Sequence, residues 1–388
     1  MLISRIKLKN WRNFRQADAK LRDVTYVIGA NASGKSNFLD AFRFLRDIAK
    51  PQGGGLQKAV SDRGGLTKLR CLHARRDPEV SIEVSLVESM ADSAPRWRYR
   101  LGFKSEGVGA NRPIVAFEEV YERHGSKEKC IFTRPNDDDK ADRERLTQTH
   151  LEQVQTNRLF REIAAYFSDT TYLHLVPQLL KYGDFIGGRQ LENDPFGQAF
   201  LIRVARASDK VRVSRLARIE KALAKAIPQF EQLRFHSDSS GHPHLEARYT
   251  HHRPNAGWQR EDQFSDGTLR LVALFWLLMD SDSLLLLEEP ELSLDEDIVR
   301  HLPRLIDRVR RSTKKRQRQL IVSTHSQALL ENEAIDGRGV LRLERANEGT
   351  IILPPSKKEL ELLKAGLSPA EVLLPKVHPK MLDQMVLL

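Results

Sequence analysis

The chain has 388 residues, 40% hydrophobic and 30% charged, which is typical of a globular protein with a sizeable core. Its net charge of +11 favours a polyanionic partner, nucleic acid before a membrane surface, although a merely solubilising surface fits the charge equally well. The two cysteines form no Cys-x-x-Cys pair, which argues against a disulfide framework or a zinc site and predicts reduced thiols in a cytoplasm.

The N-terminal segment alternates apolar and basic residues, as a strand exposed on one side does, and lacks the apolar core of a signal peptide. Residues 1–28 predict two or more strands, with turns at Asn10–Phe14 and at Arg22-Asp23. The most apolar runs, Leu271–Met279 and Leu284–Leu287, are too short to span a bilayer. We therefore expect no membrane domain and a cytoplasmic protein.

A phosphate-binding pattern follows the predicted strand Val24–Ile28, where a loop of the form Gly-x4-Gly-Lys-Ser leads into helix-forming sequence. The glycines let successive backbone N–H groups face one anion, the lysine reaches phosphates, and the serine hydroxyl can meet Mg²⁺. A chance occurrence of the string is the alternative, and the strand–loop–helix context argues against it. The predicted nucleotide-binding residues here are Gly29, Asn31, Ala32, Ser33, Gly34, Lys35, Ser36 and Asn37.

The middle of the chain is less specific. Residues 51–70 are glycine-rich and predict a mobile connection, whereas Val80–Cys130 alternates in short segments that predict an antiparallel sheet. A charged stretch from Asn136 predicts a helix to about Phe167. A second helix over Val211–Ile227 has one apolar and one basic side, which is more often a packed helix with a solvated face than a nucleic-acid groove.

Three patterns in the second half carry chemistry. Ser265-Asp266-Gly267 precedes an apolar helix and can present N–H groups and a dipole to an anion, although simple capping by Ser265 explains the turn when it is taken alone. A buried leucine strand ends in Glu288-Glu289, carboxylates suited to holding Mg²⁺ and orienting water, with a solvated acidic turn as the alternative. Another buried strand ends in His325, a structural histidine unless it lines the same crevice as the phosphate loop.

In this order, the four patterns resemble the ATP-binding-cassette ATPases, whose P-loop, signature motif, Walker B strand and switch histidine follow one another along the chain. The resemblance is closest to the RecF/SMC-like branch, because Asn10-Trp11-Arg12-Asn13-Phe14 looks like the start of RecF-type proteins. The Glu-Glu-Pro-Glu ending looks like that of stand-alone ATPases in bacterial defence operons. Motifs cover the first fifty or so residues and about 264–330, whereas the middle matches only in layout.

The resemblance implies two heads that sandwich two ATP molecules. Ser36 and Glu288 would position Mg²⁺, Glu289 would orient the attacking water and His325 would sense the γ-phosphate. Ser265 and Gly267 would contact the nucleotide of the partner subunit. Leu294-Asp295 matches the loop that crosses the dimer interface, and Arg12 matches an arginine that approaches nucleotide in SMC-type heads.

The sequence departs from the family pattern at several positions. Glu288 stands where aspartate is commoner, which lengthens the reach to Mg²⁺ by one methylene. Asp266 replaces the first glycine of Ser-Gly-Gly and puts a negative charge near the partner's phosphates unless it points away, and Thr268 replaces a glutamine. The switch glutamine has only one weak candidate, Gln178.

The predicted fold is therefore an α/β P-loop NTPase of the ABC type, with a mixed sheet core, an antiparallel β subdomain and a helical insertion. The predicted division is 1–135 for lobe I, 136–260 for a mainly helical insertion or lid, and 261–388 for lobe II.

The predicted function is an ATPase that forms a homodimer or higher homo-oligomer around ATP and couples hydrolysis to DNA recognition or repair, or to an effector protein, in a role such as anti-phage defence. After His325 only about sixty residues remain, too few for an added nuclease domain, so we expect any effector activity in a separately encoded protein. The alternative is a nucleotide-gated scaffold that hydrolyses little ATP and inhibits or releases a partner. A membrane-transporter subunit fits poorly.

Overall fold

A computed structural model describes residues 1–74, 76–107, 111–186, 194–250, 257–281, 283–311 and 318–376. Its strands form two six-stranded sheets and one three-stranded sheet. In chain order the strands are β1 Leu2–Trp11, β2 Phe14–Lys20, β3 Val24–Gly29, β4 Val80–Val87, β5 Trp97–Ser105, β6 Pro113–His124, β7 Lys127–Arg134, β8 Thr171–Leu173, β9 Phe230–Ser237, β10 Pro243–Tyr249, β11 Gln259–Arg260, β12 Leu285–Glu288, β13 Leu320–Thr324, β14 Val340–Ala346 and β15 Gly349–Leu353.

The helices lie mainly between and outside the sheets. The α-helices are α1 Lys35–Ala49, α2 Leu56–Ser61, α3 Leu66–Leu69, α4 Asp137–Ala141, α5 Arg161–Ser168, α6 Pro177–Ile186, α7 Phe200–Arg206, α8 Asp209–Ala226, α9 Asp266–Leu278, α10 Glu296–Arg311, α11 Gln327–Leu330, α12 Lys357–Lys364 and α13 Pro369–Leu373. Short 3₁₀ turns occupy Arg143–Thr147, Asn157–Phe160, Glu261–Gln263, Gly337–Gly339 and Leu374–Lys376.

The central sheet has the order β15-β14-β3-β13-β12-β8 and is parallel except for β15. Successive residues of its strands serve opposite faces, as a pleated strand requires. Leu286 packs into the cluster around α1, whereas Leu285 and Leu287 pack into the cluster of α8, α9 and α10. Burial on both faces explains why these strands read as uninterrupted apolar runs.

The second large sheet is antiparallel, with the order β2-β1-β4-β5-β6-β7. The antiparallel sheet predicted over 80–130 is present, and the structure adds the two N-terminal strands to its edge through the pairing of β1 with β4. Helix α1 joins this sheet to the central one, because its apolar side chains share a single buried cluster with both. Within it, the Phe44 ring lies 5.1 Å from the Trp11 ring and 5.2 Å from the Phe103 ring.

The predicted fold class is thus confirmed, and so is the second helix, which runs over Asp209–Ala226 with Leu216, Ile219 and Leu223 buried on its apolar side. Two local predictions were wrong. Residues 51–70 form α2 and α3 instead of a mobile connection, because Leu56, Ala59 and Val60 pack into the core at helical spacing. The charged stretch from Asn136 is broken into α4, two 3₁₀ turns and α5.

The break in that charged stretch has a tertiary cause. Asp139 is buried and accepts hydrogen bonds from the Arg134 guanidinium, with Nη2 2.7 Å from Oδ1. The same arginine also lies 3.8 Å from buried Glu118. Arg134 also donates to the backbone carbonyl oxygens of Arg145 and Gln148, each at 2.9 Å. A continuous helix from Asn136 would carry these two carbonyls away from Arg134, so tertiary contacts override helix propensity here.

The region predicted as mainly helical, 136–260, also contains strands. β8 belongs to the central sheet, and β9, β10 and β11 form their own antiparallel sheet beside α8. The division of the chain at residues 135 and 260 stays a prediction, and residues 377–388 of the last segment lie outside the described residues. Across the described ranges, the helices are too short or too polar to cross a membrane.

Candidate nucleotide-binding and hydrolysis site

The predicted phosphate loop lies between β3 and α1, as the sequence pattern requires. Gly34 adopts a φ of +104°, and a Cβ atom there would lie 2.1 Å from Nδ2 of Asn13, so only glycine fits. Asn31 and Ala32 are exposed, whereas Ser33 is buried and its hydroxyl has no partner among the described residues. An orphaned hydroxyl on a loop of backbone N–H groups fits a phosphate-binding cradle.

Lys35 is buried at the base of the loop. Its Nζ donates to the carbonyl oxygens of Gly29 and Ala30, at 2.8 and 3.3 Å. Burial lowers the pKa of Lys35, and the carboxylates of Glu289 and Glu288 oppose that shift. The amine therefore stands close to both carboxylates predicted for catalysis and metal binding.

The two residues predicted to position Mg²⁺ are in direct contact. The hydroxyl of Ser36, at the first turn of α1, donates to Oε1 of Glu288 at the end of β12. The other oxygen of Glu288 accepts a hydrogen bond from the phenol of Tyr172, at 2.5 Å. Burial and this carboxylate raise the pKa of Tyr172. A hydroxyl beside a carboxylate is a donor set that suits Mg²⁺, which prefers oxygen ligands.

The predicted catalytic pair also comes together. β12 and β13 are parallel neighbours, so Glu289 and His325 follow their carboxyl ends side by side, and Nδ1 of His325 lies 3.1 Å from Oε1 of Glu289. Glu289 has a φ of +46°, a conformation rare for residues other than glycine, and its N–H donates to the carbonyl of Ser323 at 3.0 Å. The turn thus aims the Glu289 carboxylate at the histidine.

Glu291, the last acid of Glu-Glu-Pro-Glu, is a site residue that the sequence patterns did not predict. This residue is only 7% exposed and accepts a hydrogen bond from the Thr324 hydroxyl at 2.5 Å. The N–H of His325 points to the same oxygen at 3.4 Å. Burial raises the pKa of Glu291. Glu291 therefore ties the Walker B turn to the turn that carries His325.

The predicted signature residues cap their own helix. Ser265 is the N-cap of α9, and its hydroxyl accepts from the N–H of Thr268 at 3.1 Å. The capping interpretation is therefore correct as far as local structure goes, and contact with a nucleotide stays a prediction. Gly267 packs against the neighbouring loop, since a Cβ atom there would lie 2.8 Å from the carbonyl oxygen of Ser293.

The charge of Asp266 is neutralised within the chain. Nζ of Lys181, on α6, lies 2.7 Å from the Asp266 carboxylate. Gln178, the weak candidate for the switch glutamine, donates to the same carboxylate at 3.3 Å. Gln178 therefore contacts the signature turn and not the predicted metal ligands. The side chain near it in sequence that does contact Glu288 is Tyr172, through its hydroxyl.

Arg270 is a second residue that sequence analysis missed. It lies on α9, is 3% exposed, and donates to the carbonyl oxygens of Leu292 and Glu289, at 3.0 and 3.1 Å. Burial lowers its pKa. Its guanidinium links the signature helix to the turn that holds Glu289. The basic residue within Gly-Thr-Leu-Arg, inside an otherwise apolar helix, was the available signal.

The N-terminal turn braces the phosphate loop. Asn13 donates to the carbonyl of Ser33 at 3.1 Å and accepts from the Asn37 amide at 2.8 Å. Arg12 instead pairs with Asp40 on α1, at 2.7 Å. Although burial alone would raise the pKa of Asp40, the nearby guanidinium groups of Arg63 and Arg12 hold it below its usual value. Contact of Arg12 with nucleotide stays a prediction.

Fold and site together define a P-loop protein with the fold of RecF/SMC-like ATPases of the ABC type. A family model described as "AAA domain, putative AbiEii toxin, Type IV TA system" matches residues 24–331, and the chain belongs to that family. No curated protein matches the chain.

Two solved structures of SMC heads match this fold with a TM-score of 0.50 or more, and a third lies just below that value. An SmcHead bound to the C-winged helix domain of ScpA is 15% identical with a TM-score of 0.52, over 92% of this chain and 99% of that one. An Smc head from Pyrococcus furiosus, bound to the C-terminal domain of ScpA, is 13% identical with a TM-score of 0.50, over 94% and 98%. An SMC head domain from Thermotoga maritima is 15% identical with a TM-score of 0.49, over 92% and 100%.

Proposed function

We propose that this protein binds ATP with Mg²⁺ and hydrolyses it. The observation that carries the proposal is the meeting of two pairs at one edge of the sheet, Ser36 with Glu288 and Glu289 with His325. Lys35 completes the set from the base of the phosphate loop. Such positioning supplies most of what phosphoryl transfer needs from a protein.

Each residue has a distinct task in this proposal. The loop N–H groups and Lys35 bind the β- and γ-phosphates, and Glu289 orients the attacking water. His325, held by Glu289, contacts the γ-phosphate. Ser36 and Glu288 would hold Mg²⁺, which when bound neutralises charge on the phosphate oxygens.

We further propose that two copies close around ATP. The signature turn packs against the loop beside it at Ser293 and Leu294, so the two segments would approach the partner's nucleotide as one surface. In the proposed dimer Ser265 and Gly267 contact that nucleotide. The Lys181 pair leaves Asp266 without a net charge to repel its phosphates.

The test is the mass in solution of Glu289→Gln, with and without ATP and Mg²⁺. Loss of the water-orienting carboxylate should trap the ATP-bound dimer, so the mass is expected to double only with ATP. The matched control is the double variant Lys35→Ala with Glu289→Gln, which keeps the trap but removes phosphate binding and should stay at the lower mass. Equal masses for the first variant with and without ATP would refute an ATP-linked dimer.

A second proposed function is binding of a nucleic acid backbone, and a basic cleft beside the phosphate loop favours it. The cleft has a volume of about 690 Å³ and runs from Ser36 along the outer side of α1 to α2 and α3. Basic residues outnumber acidic ones on its walls. The basic residues are Arg12, Arg43, Arg46, Lys50, Lys58, Arg63 and Lys68, and the acidic ones are Asp40, Asp47 and Asp62.

Salt dependence tests this proposal. Contacts to several phosphates release counterions, so affinity for duplex DNA should fall steeply with salt. The double variant Lys50→Glu with Lys68→Glu should weaken binding and flatten the salt slope. The double variant Lys127→Glu with Lys129→Glu, on the exposed part of strand β7 in the antiparallel sheet, makes an equal charge change outside the cleft and should have little effect. Binding that does not change with salt would exclude this function.

We propose that the output of the ATP cycle acts on a separately encoded effector. The words "Type IV TA system" in the family description support a role within a system of more than one protein, and we include a role in anti-phage defence in the proposal. A nucleotide-gated scaffold is the rival. Glu289→Gln separates the two, because a hydrolysis-driven protein loses function when trapped, whereas a scaffold that needs only ATP binding keeps its function.

A further inference from the structure

Tyr172 reaches the metal-binding edge of the site from a strand that carries no recognised motif. β8 spans only Thr171–Leu173 and pairs in parallel with β12, where Tyr172 lies opposite Leu286. The Tyr172 side chain is 8% exposed and packs in the cluster that joins the two large sheets. Its ring thus belongs to the core, while its hydroxyl points out of the core toward Glu288.

The carboxylate of Glu288 is held at both oxygens. Ser36 donates to Oε1, and the Tyr172 hydroxyl donates to Oε2 at 2.5 Å. A hydrogen bond from a hydroxyl to a carboxylate is charge-assisted and among the stronger ones in proteins. Two partners on opposite oxygens fix both the position and the rotation of the carboxylate, which a single partner cannot do.

The ring of Tyr172 is itself held in place. The guanidinium carbon of Arg43, from α1, lies 4.1 Å from the ring centroid. Such a cation over an aromatic face is attracted to it. Arg43 and Ser36 belong to the same helix, so α1 positions Glu288 in two ways, directly through Ser36 and indirectly through the tyrosine ring.

We propose that Tyr172 is a positioning residue for the magnesium-binding carboxylate, and that it compensates for the extra methylene of Glu288. A glutamate has one more rotatable bond than the aspartate common in this family, so its carboxylate needs a second partner to stay aimed at the metal. This inference rests on the proposed ATP and Mg²⁺ binding. Residues that orient metal ligands typically contribute a factor of about ten to a hundred in metal affinity.

The test uses Mn²⁺ as the probe, with the full-length protein and a non-hydrolysable ATP analogue. Free Mn²⁺ is measured by electron paramagnetic resonance, so the readout is metal binding and not turnover. Tyr172→Phe is expected to weaken Mn²⁺ binding about tenfold. Arg43→Met leaves the Tyr172 hydroxyl in place but removes the cation that holds the Tyr172 ring. It should weaken Mn²⁺ binding by a smaller factor, about twofold to threefold.

Tyr166→Phe is the matched control. Tyr166 is also 8% exposed, and its hydroxyl donates to Gln319, which precedes β13 at the opposite edge of the central sheet. Removing that hydroxyl should leave Mn²⁺ affinity unchanged. If both tyrosine variants weakened Mn²⁺ binding equally, the effect would come from general loss of packing, and the positioning role would be wrong.

A double-variant cycle tests whether Tyr172 compensates for the extra methylene of Glu288. Glu288→Asp withdraws the carboxylate by up to about 1.5 Å, one C–C bond, which takes it out of hydrogen-bonding range of the Tyr172 hydroxyl. In this background Tyr172→Phe should change Mn²⁺ affinity less than about twofold. A full tenfold loss in both backgrounds would show that Tyr172 does not act through Glu288.

Failure of the proposed nucleotide and metal site can be told apart from failure of the positioning role of Tyr172. If the wild-type protein with the ATP analogue does not bind Mn²⁺, the proposed nucleotide and metal site itself is wrong. If the wild type binds Mn²⁺ and neither Tyr172→Phe nor Arg43→Met changes the affinity, the site stands and the positioning role is refuted.

Discussion

Replacing Arg270 by methionine should uncouple the signature helix from the turn that holds Glu289. The arginine donates to the carbonyl oxygens of Glu289 and Leu292 from a side chain that is 3% exposed. Methionine keeps a similar length and packs in an apolar environment, so the variant removes the hydrogen bonds with little change in volume.

The expected loss of stability follows from these contacts. A hydrogen bond to a charged group contributes about 1.5 to 3 kcal/mol, so two contribute about 3 to 6 kcal/mol. Burial of the Arg270 guanidinium costs free energy, and methionine does not incur this cost. The difference offsets about 1 to 4 kcal/mol of the hydrogen-bond contribution. We therefore expect the free energy of unfolding to fall by about 2 kcal/mol.

The expected loss of activity is larger than stability alone explains. Glu289 holds a positive φ, a conformation that costs of order 1 to 3 kcal/mol and persists only where its surroundings enforce it. Without the bond to its carbonyl the turn relaxes and its carboxylate leaves His325. The kcat for ATP should then fall at least about tenfold, whereas ATP affinity, set by Lys35 and the loop, should change less than about twofold.

Arg318→Met provides the comparison. Arg318 is also 3% exposed and donates to the carbonyl oxygens of Leu277 and Ser283, at 2.5 and 2.8 Å, and to the Thr171 hydroxyl at 2.6 Å. These contacts lie at the amino ends of β12 and β13, away from Glu289 and His325. Thermal midpoints and steady-state ATP hydrolysis should be measured for both variants. Both midpoints should fall, but only Arg270→Met should lose kcat. Equal kcat losses in the two variants would refute the coupling.

Three further predictions concern single side chains. Lys35→Ala should abolish binding of a fluorescent ATP analogue without lowering the thermal midpoint, because it also removes a buried amine. Asn13→Ala removes hydrogen bonds to Ser33 and Asn37 worth about 1 kcal/mol each, so nucleotide affinity measured by calorimetric titration should fall between about fivefold and thirtyfold. Burial raises the pKa of Glu152 from 4.5 to about 7, so this group binds its proton more tightly in the folded state and its contribution to stability falls as pH rises through that window. When the free energy of unfolding is measured in urea across this pH range, Glu152→Gln should lack the fall that the wild type shows. The same pH dependence in both proteins would contradict this role of Glu152.

Local patterns predicted the phosphate loop and the strand ends because each depends on neighbours in the chain. Glycine spacing, a following helix and an apolar run specify a strand–loop–helix unit without any tertiary information. Glu288 and His325 could be placed together because parallel strands end at one edge of a sheet. The fold class thus followed from the sequence, and so did the proximity of Ser36 to Glu288 and of Glu289 to His325.

The contacts that complete the site could not be predicted in this way. β8 is three residues long, too short for a periodic signal, so the meeting of Tyr172 with Glu288 had no counterpart in the sequence. Asn13 bonds to Thr350, which lies 337 positions further along the chain. By contrast, α2 was missed although Leu56, Ala59 and Val60 have helical spacing, because the flanking glycines dominated the interpretation.

The order of strands in the central sheet has a consequence for the timing of assembly. β3, which leads into the phosphate loop, pairs with β13 on one side and β14 on the other, so Val24 lies opposite Leu320 and Gly29 opposite Leu343. A ribosome adding about 5 to 20 residues per second needs at least about 15 seconds to pass from β3 to these partners. Throughout that interval β3 has neither neighbour, while the strands of the antiparallel sheet emerge early and can pair. The proposed nucleotide site therefore cannot form until β13 and β14 have been made, and a chain released before residue 320 would carry the strands of the antiparallel sheet without that site.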